Sequence, residues 1–451
     1  MKNKPMLKTN LIFLLIFLPV LAFAQNNEPT LKLDVPLFDL PYQIDAMNTV
    51  GHGFFSSYAN PSMAQSLAIT VDMYSGFHYG MKRFYDTSTM NNIWKNIIYY
   101  GGTALGDGLL MVLPFGGMAW MHEEHHRAIL SRFEKNSFNT TYFFGNYVNQ
   151  VSDESLERFK AESPVDFVRL HAAGAESELL LLSQLQRNNF FYRQDFFNEF
   201  SYLLICFSVW NYLWTVTAPF TDNPRLINET NIMERDFTGH DWTSWVYDLF
   251  LPDDPYSERG AHASGIGIDR YRKTSDLSPE MMNYVKKQVW WSLANIVSPM
   301  MLGFRSLPLG HTDIRWNFSS RHFLTSFGTD LSFNVFLNID KYNFAVVYHS
   351  YQNYENYFPA IEIEMIDFPI SIKYFCIYFS PRIILGIQPK DQSFFTSETE
   401  FFGLIGSRFD FQITGNWLPY IEVVAKTDGW VAGNEFLEKN ISFRLGISAR
   451  F

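Results

Sequence analysis

The chain has 451 residues and a formal net charge of −11, so nucleic acid is not an expected partner. Aromatic residues make up 18% of the chain and include 44 phenylalanines, an abundance that indicates some contact with lipid. The two cysteines, Cys206 and Cys376, lie in apolar or strand-like stretches. They are read as buried thiols and not as a disulfide framework.

The first 24 residues have the pattern of a secretory signal peptide. Three lysines precede an apolar run over residues 11–23, and Ala22 and Ala24 form the A-x-A pattern that signal peptidase cuts. The run is short for a membrane span, and no cysteine follows it for lipid attachment. We therefore predict that residues 1–24 are removed on export.

Residues 25–305 carry long apolar or amphipathic runs separated by polar loops, which predicts a mostly helical domain. The predicted helices, in chain order, are 92–100, 109–135, 164–186, 196–217 and 279–301. Three apolar stretches approach the length of a membrane span, namely 97–121, 200–221 and 288–304. Because a chain bound for the outer membrane must not lodge in the inner one, we interpret them as buried or membrane-surface helices.

One predicted helix contains His122-Glu123-Glu124-His125-His126, which spells H-E-x-x-H. Residues four apart share a helix face, so His122 and His126 can direct imidazole nitrogens at one metal ion beside Glu123. Zinc suits neutral imidazoles plus a carboxylate, keeps a position open, and lowers the pKa of water towards about 7. The motif therefore predicts a Zn²⁺ site at which Glu123 accepts a proton from water.

This motif resembles that of the zincin metallopeptidases, over these residues and little else of the chain. The resemblance implies that the two histidines are zinc ligands and that Glu123 is the general base. In the gluzincin pattern a glutamate from a later helix completes the ligand set. Glu176 is the favoured candidate, with Glu178 and His171 as alternatives. The chain departs from the pattern because neither glutamate has an aspartate four residues later.

Two other resemblances concern the same residues. The spacing His122-x-x-His125-His126 is similar to one histidine box of membrane di-iron desaturases and hydroxylases, although those enzymes need several boxes. An H-E-x-x-H in an apolar helix is also similar to the inner-membrane site-2 metalloproteases, but their partner motif N-x-x-P-x-x-x-x-D-G does not occur in the chain. Two polar loops, 239–242 and 260–265, could line a substrate cleft.

Residues 306–451 alternate apolar and polar side chains, which is the period of a β-strand. The alternation is strict from Ile441 to Phe451 and recurs at 330–339 and 361–365. Eight antiparallel strands with their turns use roughly 140 residues, so we predict a small transmembrane β-barrel of about eight strands. The terminal Phe451 resembles the C-terminal signal that the barrel assembly machinery recognises. A soluble β-sandwich is the alternative fold for this segment.

The sequence thus predicts an α+β protein in the outer membrane of a Gram-negative bacterium, with a mostly helical N-terminal domain followed by a small antiparallel barrel. Its predicted function is a zinc-dependent metallohydrolase, most simply a peptidase, acting on a peptide, lipoprotein or lipid-linked substrate. Outer-membrane lipid and the barrel assembly machinery are the other expected partners. The alternatives are a non-enzymatic outer-membrane barrel protein with a helical binding module, and a di-iron lipid-modifying enzyme.

Overall fold

The computed structural model describes residues 31–53, 57–143, 145–218, 229–372, 375–413 and 415–451. The predicted signal peptide, residues 1–24, lies outside these residues. The helical part comes first, and the α-helices in chain order are α1 (Tyr42–Asp45), α2 (Met63–Thr87), α3 (Asn92–Asn96), α4 (Gly102–Val112), α5 (Met118–Arg132), α6 (Asp153–Glu162), α7 (Pro164–Phe191), α8 (Glu199–Thr215), α9 (Asp241–Phe250) and α10 (Pro279–Trp291). A π-helical turn, Ile97–Gly101, joins α3 to α4, and 3-10 turns at Ser292–Ile296 and Pro299–Leu302 follow α10.

Local sequence signals explain where the longest helices begin. The Ser62 hydroxyl caps α2 in a reciprocal capping box with Gln65, and Ser278 caps α10 just before Pro279. Helix α7 begins at Pro164, whose fixed φ suits the first helical position. The predicted helix over 109–135 is interrupted at residues 113–117, where Pro114 and two glycines separate α4 from α5.

The strand-rich part comes second, apart from one strand near the N-terminus and a short hairpin. The strands are β1 (Lys32–Leu40), β2 (Phe138–Asn139), β3 (Val148–Asn149), β4 (Leu307–Pro308), β5 (Arg315–Thr325), β6 (Gly328–Ile339), β7 (Tyr342–Gln352), β8 (Tyr357–Ile366), β9 (Phe368–Ile372), β10 (Phe375–Pro389), β11 (Thr399–Gln412), β12 (Trp417–Lys426) and β13 (Asn440–Arg450). Strands β2 and β3 pair only with each other. Both cysteines are free thiols, with Cys206 buried and Cys376 half-buried.

The other eleven strands form one antiparallel sheet in the order β1-β13-β12-β11-β10-β8-β7-β6-β5-β4, with β9 paired to β10. Among the described residues, no pairing joins β1 to β4 or β5, so the sheet is open. The prediction of a closed transmembrane β-barrel of about eight strands is therefore wrong. The physical reason is that an N-terminal strand, β1, extends the sheet beyond β13. Helices lie between the two edges of the sheet, so the edge strands do not pair with each other.

The alternation of side chains along the strands separates two different faces. On β8 and β10, Ile363 and Ile383 are cross-strand partners on the outer face and both are exposed. Their neighbours Glu362 and Arg382 point inward, where two hydrogen bonds of 2.9 Å join the guanidinium to the carboxylate. Period-two alternation thus places the charged side chains inside.

Helices α2 and α7 lie against the inner face of the sheet. Arg187 of α7 forms an ion pair with Glu364 of β8, and Arg321 of β5 donates to Ser183 of α7 at 2.9 Å. A cavity of about 380 Å³, lined by both charged and apolar side chains, remains between these two helices and the inner face. The opposite side of α7 packs against α5, and this second contact positions the candidate site.

In the part of the chain that the structure describes, no helix is both long and apolar enough to cross a bilayer.

Candidate metal centre

Three buried side chains from α5 and α9 converge on one point. His122 and His126 are one turn apart on α5, and Asp241 is the first residue of α9. Asp241 Oδ2 lies 3.1 Å from His122 Nε2 and 3.3 Å from His126 Nε2. Ligand atoms about 2.0–2.2 Å from a tetrahedral ion are about 3.3–3.6 Å apart, so the separations fit within a few tenths of an ångström. The group could hold a metal ion.

The other nitrogen of each imidazole has a protein acceptor. His126 Nδ1 donates to the Leu170 carbonyl at 2.6 Å, and His122 Nδ1 donates to Glu178 Oε1 at 2.9 Å. A carbonyl oxygen can only accept, so the proton of a neutral His126 is on Nδ1 and the lone pair is on Nε2. His126 Nε2 has no hydrogen-bond partner in the structure. Such acceptors are what metal-ligating histidines normally require.

The electrostatics of the group favour a cation between the three side chains. Burial alone would raise the pKa of the Asp241 carboxyl, but the two histidines hold that pKa well below its usual range. Burial alone would lower the pKa of His122, yet hydrogen bonds to Asp241 and Glu178 raise it well above its ordinary value. A proton on His122 would occupy the position at which a metal cation binds.

Glu123 is buried beside the three side chains of this group. The Asn146 amide, from the loop between β2 and β3, donates to Glu123 Oε1. Burial raises the pKa of the Glu123 carboxyl, the two histidines oppose that shift, and the Asp241 charge adds to it. A carboxyl whose pKa is raised towards neutrality is suited to accept and return a proton.

A second buried carboxylate, that of Asp236, also feels the charges of Glu123 and Asp241. Its oxygens accept from the backbone N–H groups of Phe237 at 2.8 Å and Gly239 at 3.1 Å. Burial raises the pKa of Asp236 well above its usual value, and the two neighbouring carboxylates raise it further. The site therefore gathers carboxyl groups whose ionisation is opposed by burial and by one another, and a cation in the group that could hold a metal ion would favour their charged forms.

The predicted third ligand, Glu176, does not belong to this group. Its oxygens accept from Arg169 at 3.0 Å, from the Gly433 backbone at 2.6 Å and from the Trp430 indole at 3.2 Å. These contacts point towards the sheet. Residues 174 and 178 are one turn apart on the side of α7 that faces α5, and residue 176 is about 200° from 174 around the helix.

The two alternative candidates have supporting positions. Glu178 accepts from His122 Nδ1 and so orients the ring of His122. His171 Nε2 lies 3.0 Å from Asp248 Oδ2, so this histidine ties α7 to α9. His125, which belongs to the histidine-box spacing, is buried but is not part of the group. Burial lowers the pKa of its imidazole well below the ordinary value.

Asp241 is the member of the group that the sequence did not identify as a ligand. It lies in the loop segment 239–242, which the sequence suggested only as the lining of a cleft. Tyr212 of α8 supports it, because the phenol donates to Asp241 Oδ2 at 3.0 Å and accepts from the Asp241 backbone N–H at 3.2 Å. In the sequence, the one feature that marks Asp241 is its place after Gly239 and His240 at the start of a helix. No spacing rule connects that position to His126.

Gly174 of α7 faces the Nε2 atoms of His122 and His126. A Cβ atom at this position would come nearer to His122 Nε2 and His126 Nε2 than real Cβ contacts allow. The flanking Ala173 is buried with residues of α5, and Ala175 is buried on the side of α7 that faces α8 and α9. Glycine at 174 thus lets α5 approach α7 while leaving room at the imidazole nitrogens.

Comparisons with protein-family models, curated proteins and solved structures found no match to this chain.

We expect Asp241→Asn to lose metal and Glu176→Gln to keep it. The first change removes the anionic oxygen between the two imidazoles, and the second alters a carboxylate that faces the sheet. The bound metal per chain is measured by plasma mass spectrometry after loading with divalent ions, with folding checked by circular dichroism. Retained metal in Asp241→Asn together with its loss from a folded Glu176→Gln would restore Glu176 as the ligand.

We also expect Gly174→Ala to weaken metal binding by at least tenfold, because even a methyl group collides with both ligating nitrogens. The matched control is Gly80→Ala in α2, where a Cβ atom meets nothing within 4 Å and the change favours the helix. Competition with a chromogenic chelator measures both affinities. Equal affinity in the two folded variants would contradict the proposed position of Gly174.

Proposed function

We propose that the group binds Zn²⁺ and that the protein is a zinc-dependent metallohydrolase. The observation that carries this proposal is the position of Asp241 Oδ2, within 3.3 Å of both imidazole Nε2 atoms, while both Nδ1 atoms have acceptors. Imidazole nitrogen with one carboxylate oxygen suits zinc, whereas magnesium and calcium favour oxygen ligands alone.

The number of ligands supports a catalytic site over a purely structural one. Structural zinc sites are usually closed by four protein ligands, and catalytic sites use three and keep one position open. The described residues supply three ligands to this group. Zinc in such a site acts as a Lewis acid that polarises a carbonyl group and lowers the pKa of water towards about 7.

The chain's own residues provide the proton transfer. Asn146 donates to Glu123 Oε1, which leaves Oε2 to accept a proton from water and to return it to the leaving group. Tyr212 holds the carboxylate of Asp241, and Glu178 holds the ring of His122. These three contacts fix the geometry of the acid–base group and of two ligands before substrate binds.

A peptide bond is the simplest substrate for this arrangement, because hydrolysis of an amide needs both a polarised carbonyl and a proton for the leaving amine. An amide or ester in a lipoprotein or a lipid-linked molecule is the second candidate. The observation that favours it is the wide apolar surface on the outer face of the sheet, where Ile405 and Ile441 are exposed. We also propose the outer membrane as the location of the protein.

We expect Glu123→Gln to bind metal like the wild type but to lose hydrolysis by about 10²–10⁴-fold, since an amide cannot accept the proton. Turnover is followed on a panel of quenched fluorescent peptides and of amide and ester lipids. Glu154→Gln, on the exposed side of α6, is the control that keeps activity. If metal-loaded Glu123→Gln hydrolyses a wild-type substrate at the wild-type rate, Glu123 is not the acid–base group.

A further inference from the structure

The outer face of the open sheet exposes large apolar side chains on strand after strand. One such residue on each of six strands is Phe333 on β6, Ile363 on β8, Ile383 on β10, Ile405 on β11, Val423 on β12 and Ile441 on β13. Ile405 and Ile441 are 62% and 70% exposed. Contiguous apolar surface of this extent is rare on soluble monomers and marks a contact surface.

The inner face carries the charged groups that a water-soluble protein would place outside. Arg382 pairs with Glu362 there, and Arg408 donates to both oxygens of Asp410 at 2.8 and 2.9 Å. These pairs line or adjoin the cavity between the sheet and its helices. Apolar side chains such as Phe336, Ile384 and Leu404 share the inner face with them and pack against the helices. Ion pairs that a soluble protein usually exposes are thus inside, and large apolar side chains are outside.

The β1 edge of the sheet is covered by side chains of neighbouring segments. The Asp34 backbone N–H donates to the Asp72 carboxylate of α2 at 3.0 Å. The Pro36 carbonyl accepts from Gln65 of α2 at 3.1 Å and from the Tyr58 phenol at 2.6 Å. These backbone groups therefore have partners within the chain, although no strand pairs with them.

The β5 edge is covered by the segment after α10. The Ser320 backbone N–H donates to the Val297 carbonyl at 3.0 Å, and the His322 N–H donates to Asn295 Oδ1 at 2.8 Å. The ring of Phe318, two residues from Ser320, lies 5.5 Å from that of the exposed Phe333. Residues 295–297 therefore join the β5 edge of the sheet to the helices.

Helices fill the gap between the two covered edges. From the β1 edge, α2 packs on α4, α4 on α8, and α8 on the 3-10 turns that pack on β5. Their outward positions are also apolar and include Leu105 and Leu109 of α4, Leu203 and Phe207 of α8, Trp290 and Ile296. Leu105 is 75% exposed and Trp290 is 76% exposed. The charged Asp107 of α4 is buried, 2.6 Å from His78 Nε2.

We propose that this apolar perimeter, formed by the outer face of the sheet and the outward faces of α4, α8 and residues 290–304, contacts lipid acyl chains. The apolar perimeter runs from one edge of the sheet, across the helices, to the other edge of the sheet. Whatever covers it must therefore surround the protein. A lipid phase does so, whereas a single docked partner covers only one side. In hydrocarbon, every backbone N–H and C=O group needs a hydrogen-bond partner within the protein. The backbone groups described above at the β1 and β5 edges have such partners. This inference does not rest on the metallohydrolase.

The test uses full-length protein reconstituted into lipid nanodiscs whose acyl chains are either brominated or unmodified. Bromine quenches tryptophan only on close contact. The comparison variants are Trp290→Phe, at the most exposed position of the helical face, and Trp245→Phe, whose indole is fully buried. Circular dichroism shows that each variant is folded, and metal content and hydrolysis are assayed separately.

We expect brominated chains to quench wild-type emission, and the quenched fraction to fall in Trp290→Phe but to rise slightly in Trp245→Phe. The first variant removes an emitter in contact with lipid, and the second removes one shielded from it. Emission equal in brominated and unmodified lipid would overturn the proposal. A quenched fraction unchanged by Trp290→Phe would remove the helical face from the lipid contact. A metal-free but quenched protein would leave this inference standing and refute the metallohydrolase.

Discussion

The close packing of α5 against α7 at Gly174 is the constraint on which the candidate metal centre depends. His122 and His126 project from α5 towards α7, and a side chain at 174 would fill the space at their Nε2 atoms. The same face of α7 supplies the Leu170 carbonyl and the Glu178 carboxylate that hold the two Nδ1 atoms. One helix face therefore sets the distance between the helices, the orientation of both rings and their tautomers.

The position of Asp241 depends on a second packing contact, between α7 and α9. Asp241 and Asp248 are two turns apart on α9 and share one side of it. Buried Asp248 pairs with His171 of α7 and with Lys160 at 2.7 Å, and it also contacts Arg259. Burial alone would raise the pKa of Asp248, but Arg259, His171 and Lys160 hold it well below the usual range. A charge paired in this way fixes α9 along α7 and brings Asp241 to the histidines.

The parts of the site that are local in sequence were predictable, and the parts that depend on packing were not. The four-residue spacing of His122 and His126 indicated one shared helix face, and the structure brings them together with Asp241. The structure does not bring Glu176 to this group, because the helical period turns this residue to the sheet side of α7. Asp241 follows His126 by more than a hundred residues, and only the packing of α9 connects them.

The sheet shows the same division. Alternation predicted strands with one apolar and one polar face, because side-chain direction depends on the period of a single strand. Strand order and closure depend on pairing between distant segments, which alternation does not record. Strand β1, with Pro36 at a position that needs no N–H donor, joins the sheet from the helical part of the chain. Its addition and the helices between the edges give an open eleven-stranded sheet where the sequence predicted a small closed one.

Zinc K-edge X-ray absorption spectroscopy on the zinc-loaded protein identifies the atoms around the metal without a substrate. We predict a shell of nitrogen and oxygen atoms at roughly 2.0–2.2 Å, with the outer scattering of two imidazole rings. In Asp241→Asn the loaded spectrum should lose this pattern. A shell without imidazole scattering, or a folded protein that takes up no zinc, would contradict the assignment of His122, His126 and Asp241 as a metal centre.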